Sequence, residues 1–76
     1  MSIAFIMINT DLDVHDELCN QLRTIPGIIE ANEVYGIYDI IIKIEFNNMK
    51  KLKETVSTRI RSLDGVNSTL TMISAD

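Results

Sequence analysis

The sequence predicts one small α+β domain with the element order βαββαβ, in which two helices cover one face of a four-stranded antiparallel sheet. Two observations predict this fold. Apolar runs typical of strands alternate with helical stripes along all 76 residues. The segment "LRTIPGI" at 22–28 also recurs in type as "IRSLDGV" 38 residues later, which indicates two βαβ halves in tandem. We therefore expect the ferredoxin-like arrangement, formed by a single domain over residues 1–76.

Four segments have the composition of strands. They are predicted at residues 3–8, 28–35, 38–46 and 66–74, with a turn at Gly36 between the second and the third. The first and third are the most apolar, which suits the middle of the sheet. Alternation along the third strand places one apolar set on a common face, and we expect this face to meet the helices. The set is Tyr38, Ile40, Ile42, Ile44 and Phe46, joined by Ala4, Ile6 and Ile8 of the first strand.

Two amphipathic helices connect these strands. We expect the first to be capped by Asp11 or Asp13 and to end before Pro26 and Gly27. Asn48 is the predicted cap of the second helix, which ends at "LDG". Each helix carries one apolar stripe. The stripes are Val14, Leu18, Leu22 and Ile25 in the first, and Met49, Leu52, Val56, Ile60 and Leu63 in the second.

The opposite face of the sheet is also apolar along its central strands. Ile3, Phe5, Met7 and Ile41 should lie there, beside Lys43 and Glu45. A two-layer fold exposes this face, and a chain that is 46% hydrophobic has more apolar surface than so small a core can hide. We therefore predict that these four residues form the interface of a homo-dimer. The alternative is a scatter of ordinary exposed hydrophobic residues.

Composition excludes several classes of function. The net charge is −4 and "KKLK" is the main cationic run, so direct nucleic-acid binding is not expected. No apolar run approaches the length of a membrane span, and no signal peptide begins the chain, so we expect no membrane association. A single cysteine indicates a reducing, cytoplasmic location.

Signatures of catalysis are weak. His15 is the only histidine and is interpreted as a solvated helix residue, while Cys19 flanks the apolar stripe and is interpreted as a packing residue. No phosphate-binding loop, CxxC or GxSxG motif occurs. We predict no enzyme activity, no catalytic residue, no cofactor and no metal.

Two short motifs are candidates for ligand binding. In "YGIYD", Gly36 permits a sharp bend that frees backbone N–H groups for a ligand carboxylate, and Asp39 can hold an ammonium group. In "NSTLT", Thr69 and Thr71 share one face of the last strand and offer hydroxyl groups. Together these groups would complement a free α-amino acid. The same residues also suit an ordinary turn and an ordinary strand, and their chemistry alone leaves both interpretations open.

These segments resemble a known family. "LRTIPGIIEANEVYGIYDIIIKI" followed by "RIRSLDGVNSTLTMI" is similar to the C-terminal effector domain of the Lrp/AsnC transcription regulators, also called the RAM domain (regulation of amino acid metabolism). The pattern covers essentially the whole chain. Full-length family members also carry an N-terminal DNA-binding helix-turn-helix, for which these 76 residues have no room. The chain therefore looks like a stand-alone form, and DNA binding is not carried over.

The resemblance implies an amino acid effector, dimers that assemble into rings such as octamers, and a function in transcription regulation. Full-length Lrp/AsnC regulators are further possible partners. On the matching positions it implies a ligand site of Tyr35, Gly36, Tyr38 and Asp39 with Thr69 and Thr71. Three alternatives stay open: a purely structural partner of full-length regulators, an amino-acid-binding module of ACT type, and a small enzyme of acylphosphatase-like or monooxygenase-like type on the same fold.

Overall fold

A computed structural model describes residues 1–11 and 15–75 of the chain. Four strands, β1 to β4, and two helices, α1 and α2, follow in the predicted order, and a π-helical stretch, here called the π segment, extends α2. Their bounds are β1 Ser2–Thr10, α1 His15–Arg23, β2 Ile28–Glu33, β3 Ile40–Phe46, α2 Met49–Glu54, the π segment Thr55–Ile60, and β4 Val66–Ile73.

The strands form one antiparallel sheet in the order β2-β3-β1-β4. The two most apolar strands therefore occupy the middle of the sheet, as the sequence predicts. Ile6 of β1 pairs with Ile42 of β3 on one side and with Thr71 of β4 on the other. This pairing fixes which side chains of β4 share a face with the core residues of β1 and β3.

The core lies between the sheet and the helices. Ala4, Ile6 and Ile8 of β1 alternate with half-buried neighbours and are fully buried. Ile40, Ile42, Ile44 and Phe46 of β3 follow the same alternation, so the predicted core face is confirmed for all of its residues except Tyr38. The helices and the turns that follow them complete this core with buried side chains. These are Leu18, Cys19, Leu22, Ile25, Leu52 and Ile60.

The internal repeat is visible in the backbone. Gly27 and Gly65 occupy the same position near the end of the two repeated segments and have nearly equal φ values of +95° and +93°. The backbone N–H of Ile25 donates to Leu22 O at 3.1 Å, and its counterpart Leu63 donates to Ile60 O at 3.2 Å. Both glycines adopt the left-handed conformation that lets a chain leave a helix and enter a strand at once.

Several predicted boundaries are corrected. β2 ends at Glu33 and β3 begins at Ile40, so Tyr38 lies in the connecting loop and not on the core face of a strand. Met49 of the second stripe is 45% exposed.

Asp13 and Val14 lie outside the described residues. Asp11 is exposed, and its backbone N–H donates to Gly65 O. The Asn48 cap is confirmed, because its side chain accepts a hydrogen bond from Lys51 N at 2.8 Å.

The π segment is not predicted from the sequence. The hydroxyls of Ser57 and Thr58 both donate to Glu54 O, at 3.4 and 2.6 Å. They compete for the carbonyl that a regular α-helix offers to the backbone N–H four residues later, and such bonding disturbs helices. Arg61 N then donates to Val56 O at 2.8 Å, a five-residue hydrogen bond that widens the turn.

Candidate functional site: the loop before β3 and the last strand

The loop at residues 34–39 joins β2 to β3 and projects from the end of the sheet. Val34 N donates to Asp39 O at 2.9 Å and closes the loop, and Asp39 N donates to Ile8 O at 2.9 Å and fixes the loop to β1. Gly36 has φ +145°, as its predicted role as a bend requires, and nothing lies within 4 Å of its missing Cβ. The loop thus has fixed ends and an open middle.

Asp39 holds its carboxylate in a defined position. One oxygen, Oδ2, accepts hydrogen bonds from Thr10 N at 2.8 Å and from Thr10 Oγ1 at 3.3 Å. The other oxygen, Oδ1, lies 3.9 Å from His15 Nε2, and the Asp39 side chain is 27% exposed. Asp39 is therefore an anchor of the fold through Oδ2, while Oδ1 remains able to meet a cation.

His15 lies beside Asp39, and this proximity is not predicted from the sequence. The sequence predicts a solvated helix residue at this position, but the structure places its half-buried ring between two carboxylates. His15 Nδ1 lies 3.6 Å from Glu33 Oε1, and Nε2 faces Asp39. The reason for the error is topological, since the two carboxylates come from the two ends of the β2–β3 connection, distant in sequence from α1. A strand order that places β3 beside β1 is the one signal that points to this proximity.

Glu33 extends the cluster towards α1. The hydrogen bond that Glu33 shares with the Asp16 carboxyl raises the pKa of Glu33, and partial desolvation and the charge of Asp16 act in the same direction. His15 and Arg23 oppose this rise. Four ionisable side chains (His15, Asp16, Glu33 and Asp39) thus meet where α1 begins and where β2 and the loop end.

The exposed side of the loop carries aromatic and aliphatic groups. Tyr35 is fully exposed and Ile37 is 84% exposed, whereas Tyr38 is half-buried. Asn9 Nδ2 donates to Ile37 O at 3.2 Å and adds a further hydrogen bond between β1 and the loop. A loop that holds large apolar side chains in water offers a contact surface for a ligand or for another protein chain.

Thr69 and Thr71 lie on the helix side of β4. Thr69 pairs with Ile8, the residue whose carbonyl accepts from Asp39 N. Since β1 separates β4 from β3, Thr69 lies two strand spacings, roughly 10 Å, from the start of β3. Thr71 pairs with Ile6, two residues farther from the loop. The structure thus brings Tyr35, Gly36, Tyr38 and Asp39 together in one loop but keeps the two threonines apart from it.

Thr71 instead lines a groove between the second helix and the last strand. The cavity has a volume of about 430 Å³, and its floor is apolar. Lys53 and Arg61 line it as well. Neither the groove nor its cations are predicted from the sequence, where "KKLK" is considered only as a cationic run and Arg61 is not singled out.

The open face of the sheet carries more apolar side chains than predicted. Ile3, Phe5, Met7 and Ile41 are half-buried, and the register places Met72 beside Phe5 and Leu70 beside Met7. Leu70 and Met72 are 43% and 46% exposed. Only the threonines of the last strand are considered in the sequence prediction. Leu70 and Met72 alternate with them and therefore lie on the opposite face of the sheet, which was not predicted.

Cys19 is buried, and burial raises the pKa of its thiol, which disfavours the reactive thiolate. Within residues 1–11 and 15–75, no three His, Cys, Asp or Glu side chains are placed to hold a metal ion. In the same part of the chain, no helix has the length and apolarity needed to cross a membrane.

Comparison with known proteins gives the family. The family described as the Lrp/AsnC ligand binding domain matches residues 3–76. The chain belongs to this family. The assignment agrees with the predicted resemblance and decides against a module of ACT type.

Relatives of this Lrp/AsnC domain include transcription regulators. The uncharacterized HTH-type transcriptional regulator PH1916 of Pyrococcus horikoshii is 34% identical over 74 residues, which are 93% of this chain and 49% of that protein. The chain thus spans about half the length of the curated regulators it matches. A homocitrate synthase of Sulfurisphaera tokodaii is 34% identical over 71 residues, which cover 92% of this chain and 15% of the enzyme. The absence of enzyme activity stays a prediction.

Solved structures of Lrp/AsnC type superpose closely on the domain. The structure of FFRP-DM1 has a TM-score of 0.92 at 35% identity and covers 97% of this chain and 99% of that one. The transcriptional regulator NMB0573 of Neisseria meningitidis, solved as a complex with L-Met, has a TM-score of 0.89 at 18% identity, covering 99% of this chain and 50% of that one. The second likeness supports the fold.

Proposed function

We propose that this Lrp/AsnC domain binds a free α-amino acid at the 34–39 loop and assembles through the open face of its sheet. The observation that carries the proposal is the Asp39 carboxylate, whose Oδ2 accepts from Thr10 while the side chain as a whole stays 27% exposed. A preset carboxylate can bind an ammonium group without an ordering cost of its own. Backbone N–H groups beside Gly36 are available for the ligand carboxylate.

In this proposal, the hydroxyl groups of the predicted ligand site come from a second copy of the chain. Thr69 and Thr71 are too far from the loop of the same chain, so in this proposal the threonines of a second copy complete the site. The exposed Tyr35 and Ile37 then contact that copy. Dimers formed through the open face would in turn assemble into rings, such as octamers, with the ligand between dimers.

The comparisons support a sensing function in two ways. The family is described as a ligand-binding domain, and one protein of the same fold was solved with an amino acid. The same segment also matches a small part of a homocitrate synthase. A module shared by transcription regulators and a biosynthetic enzyme supplies something that both need, and effector binding fits both. In this proposal the domain acts in transcription regulation in the cytoplasm, alone or with full-length regulators.

Calorimetric titration of the twenty amino acids against the purified chain tests the proposal. We expect at least one to bind, and Asp39→Asn to weaken that binding by roughly ten- to a hundredfold, because a charge-assisted hydrogen bond contributes about 1.5–3 kcal/mol. The fold should survive, since the asparagine oxygen still accepts from Thr10 N. Asp64→Asn is the matched control, because it makes the same change at an exposed turn.

A second candidate function is favoured by the anchoring of Asp39. If no amino acid binds, or if Asp39→Asn lowers the melting temperature without changing affinity, Asp39 serves the fold alone. The domain would then be a structural partner that joins full-length regulators into mixed oligomers.

A further inference from the structure

We infer that the groove between α2, the π segment and β4 is a second ligand site, which takes a small organic acid of the 2-oxo acid class with an aliphatic side chain. The inference goes beyond the amino-acid function proposed above and does not depend on it. Apart from Thr71, the residues that line it lie outside the two ligand-binding motifs of the sequence analysis.

The floor of the groove suits an aliphatic group. Leu52 is buried, Val56 is half-buried, and Met49 and Ile73 are each 45% exposed, so the apolar surface is open to a ligand. Its volume of about 430 Å³ falls within the range of about 300–1,000 Å³ of typical small-molecule sites. Covering this surface with a branched alkyl chain removes water from both partners.

The charged groups of the groove select an anion. Lys53 and Arg61 line it, and their side chains make no ion pair or hydrogen bond with another described residue. The chain as a whole is acidic, yet five of its seven Lys and Arg residues fall within positions 50–61, beside a single acidic residue, Glu54. The planar guanidinium of Arg61 matches a carboxylate in two hydrogen bonds, and Lys53 adds a second positive charge.

The same lining disfavours an amino acid. No Asp or Glu lines the groove, so an α-ammonium group placed there would lie near two cations without a counter-ion. A 2-oxo group carries no such charge. The Thr71 hydroxyl, which makes no hydrogen bond with another described residue, can donate to the oxo oxygen. Selection of the 2-oxo acid over the amino acid with the same side chain follows from this charge pattern.

The π segment is an independent sign that the groove is a built feature. Its wide turn is closed by Arg61 N donating to Val56 O, and both of these residues line the groove together with Lys53 of α2. Such insertions are rare in helices and frequently occur at functional sites. Ser57 and Thr58 hold the distortion through their bonds to Glu54 O.

Calorimetry with 4-methyl-2-oxopentanoate and with leucine tests the inference. The oxo acid should bind the unmodified chain, and Lys53→Met and Arg61→Met should each weaken it by about tenfold, the effect of losing one charge-assisted contact at a partly exposed site. Lys50→Met is the matched control: it removes the same charge from the same helix outside the groove and should change affinity by less than about twofold. Leucine binding, where it occurs, should be the same in all three variants.

Several results would overturn the inference. It fails if the oxo acid does not bind, or if Lys50→Met weakens binding as much as Lys53→Met, which would indicate unspecific attraction to the basic helix. Leucine binding that depends on Lys53 would remove the proposed selectivity. A change of oligomeric mass in Lys53→Met or Arg61→Met, seen by light scattering without any effect on the oxo acid, would show that a second copy of the chain covers the groove. Two variants are used so that one folding failure leaves the other informative.

Discussion

Gly27 is a residue at which both the backbone conformation and the surroundings restrict substitution. It joins α1 to β2 with φ +95°, and its carbonyl accepts from Glu45 N at 2.8 Å. A Cβ at this position would lie 3.0 Å from Glu45 O and 3.5 Å from Ile44 Cγ1. The conformation and the close approach to β3 therefore both require glycine.

Replacing Gly27 by alanine should lower the free energy of unfolding by about 2–3 kcal/mol, since the left-handed conformation costs roughly 1–2 kcal/mol and the contact with β3 adds to it. Gly36→Ala is the comparison: it also has a positive φ, but nothing lies within 4 Å of its Cβ and the exposed loop can adjust. Urea denaturation should give a larger loss for Gly27→Ala, with equal m-values. Equal losses would show that strain alone sets the cost.

For Asp39, the sequence predicts the local conformation but not the partners of the side chain. The "YGIYD" pattern predicts a bend and an accessible carboxylate, and the structure has both. The sequence analysis left open whether Asp39 anchors a turn or meets a ligand. In the folded chain its two oxygens face different groups, Thr10 and His15. Pairing of the end of β1 with the loop creates this division, and nothing local to the motif encodes it.

At the scale of elements, α1 and β2 meet through ionisable groups as well as through the core. Glu33 of β2 shares a hydrogen bond with Asp16 of α1, which raises the pKa of Glu33, and it faces His15. A carboxyl whose pKa is higher in the folded state than in the unfolded state stabilises the fold fully below its unfolded pKa. That contribution is lost as the pH rises through the folded pKa, because Glu33 then loses the proton that this hydrogen bond needs.

Glu33→Gln should therefore raise the melting temperature relative to the unmodified chain more at pH 7 than at pH 4. At pH 4 the protonated Glu33 already makes the bond that the amide would make. Glu30→Gln carries the same charge change on the same strand and leaves the Glu33–Asp16 pair intact, so it should keep the parental pH dependence. Thermal melts from pH 3.5 to 8 give the comparison. Parallel curves for Glu33→Gln and the unmodified chain would contradict the assigned cause.

Element types and order were predictable because hydrophobic periodicity and the two glycine-containing repeats are local signals. The ends of the strands were less predictable. β3 begins at Ile40, since Asp39 before it makes backbone hydrogen bonds with Ile8 and Val34. The π segment was not predicted, because its cause is competition between the hydroxyls of Ser57 and Thr58 and the backbone for one carbonyl. Such competition leaves the apolar stripe almost unchanged, so hydrophobic periodicity does not predict a π segment.

For the whole molecule, the decisive feature is a sheet with two apolar faces. The helices cover one face, and the other presents six large apolar side chains across β1, β3 and β4. These are Ile3, Phe5, Met7, Ile41, Leu70 and Met72. Alternation in the sequence predicted the first four, but the last two became evident only from the register of β4. A contiguous patch of this kind on a small domain indicates a protein interface.

Phe5→Asp tests the proposed dimer at the centre of this patch. Phe5 lies between Lys43 and Met72 in the sheet, so in a separate chain the new carboxylate would face a lysine and water, and the monomer should stay folded. In a face-to-face dimer it would be buried against apolar groups, at a cost of about 3–5 kcal/mol, which weakens association by roughly a hundredfold or more. Light scattering at micromolar concentration should show the unmodified chain at a multiple of 8.6 kDa and the variant at or near 8.6 kDa.

Ile29→Asp, at an exposed residue in the bulge of β2, is the control and should keep the parental mass. A folded, monomeric parent chain, or a variant of undiminished mass, would show that the open face does not form the interface.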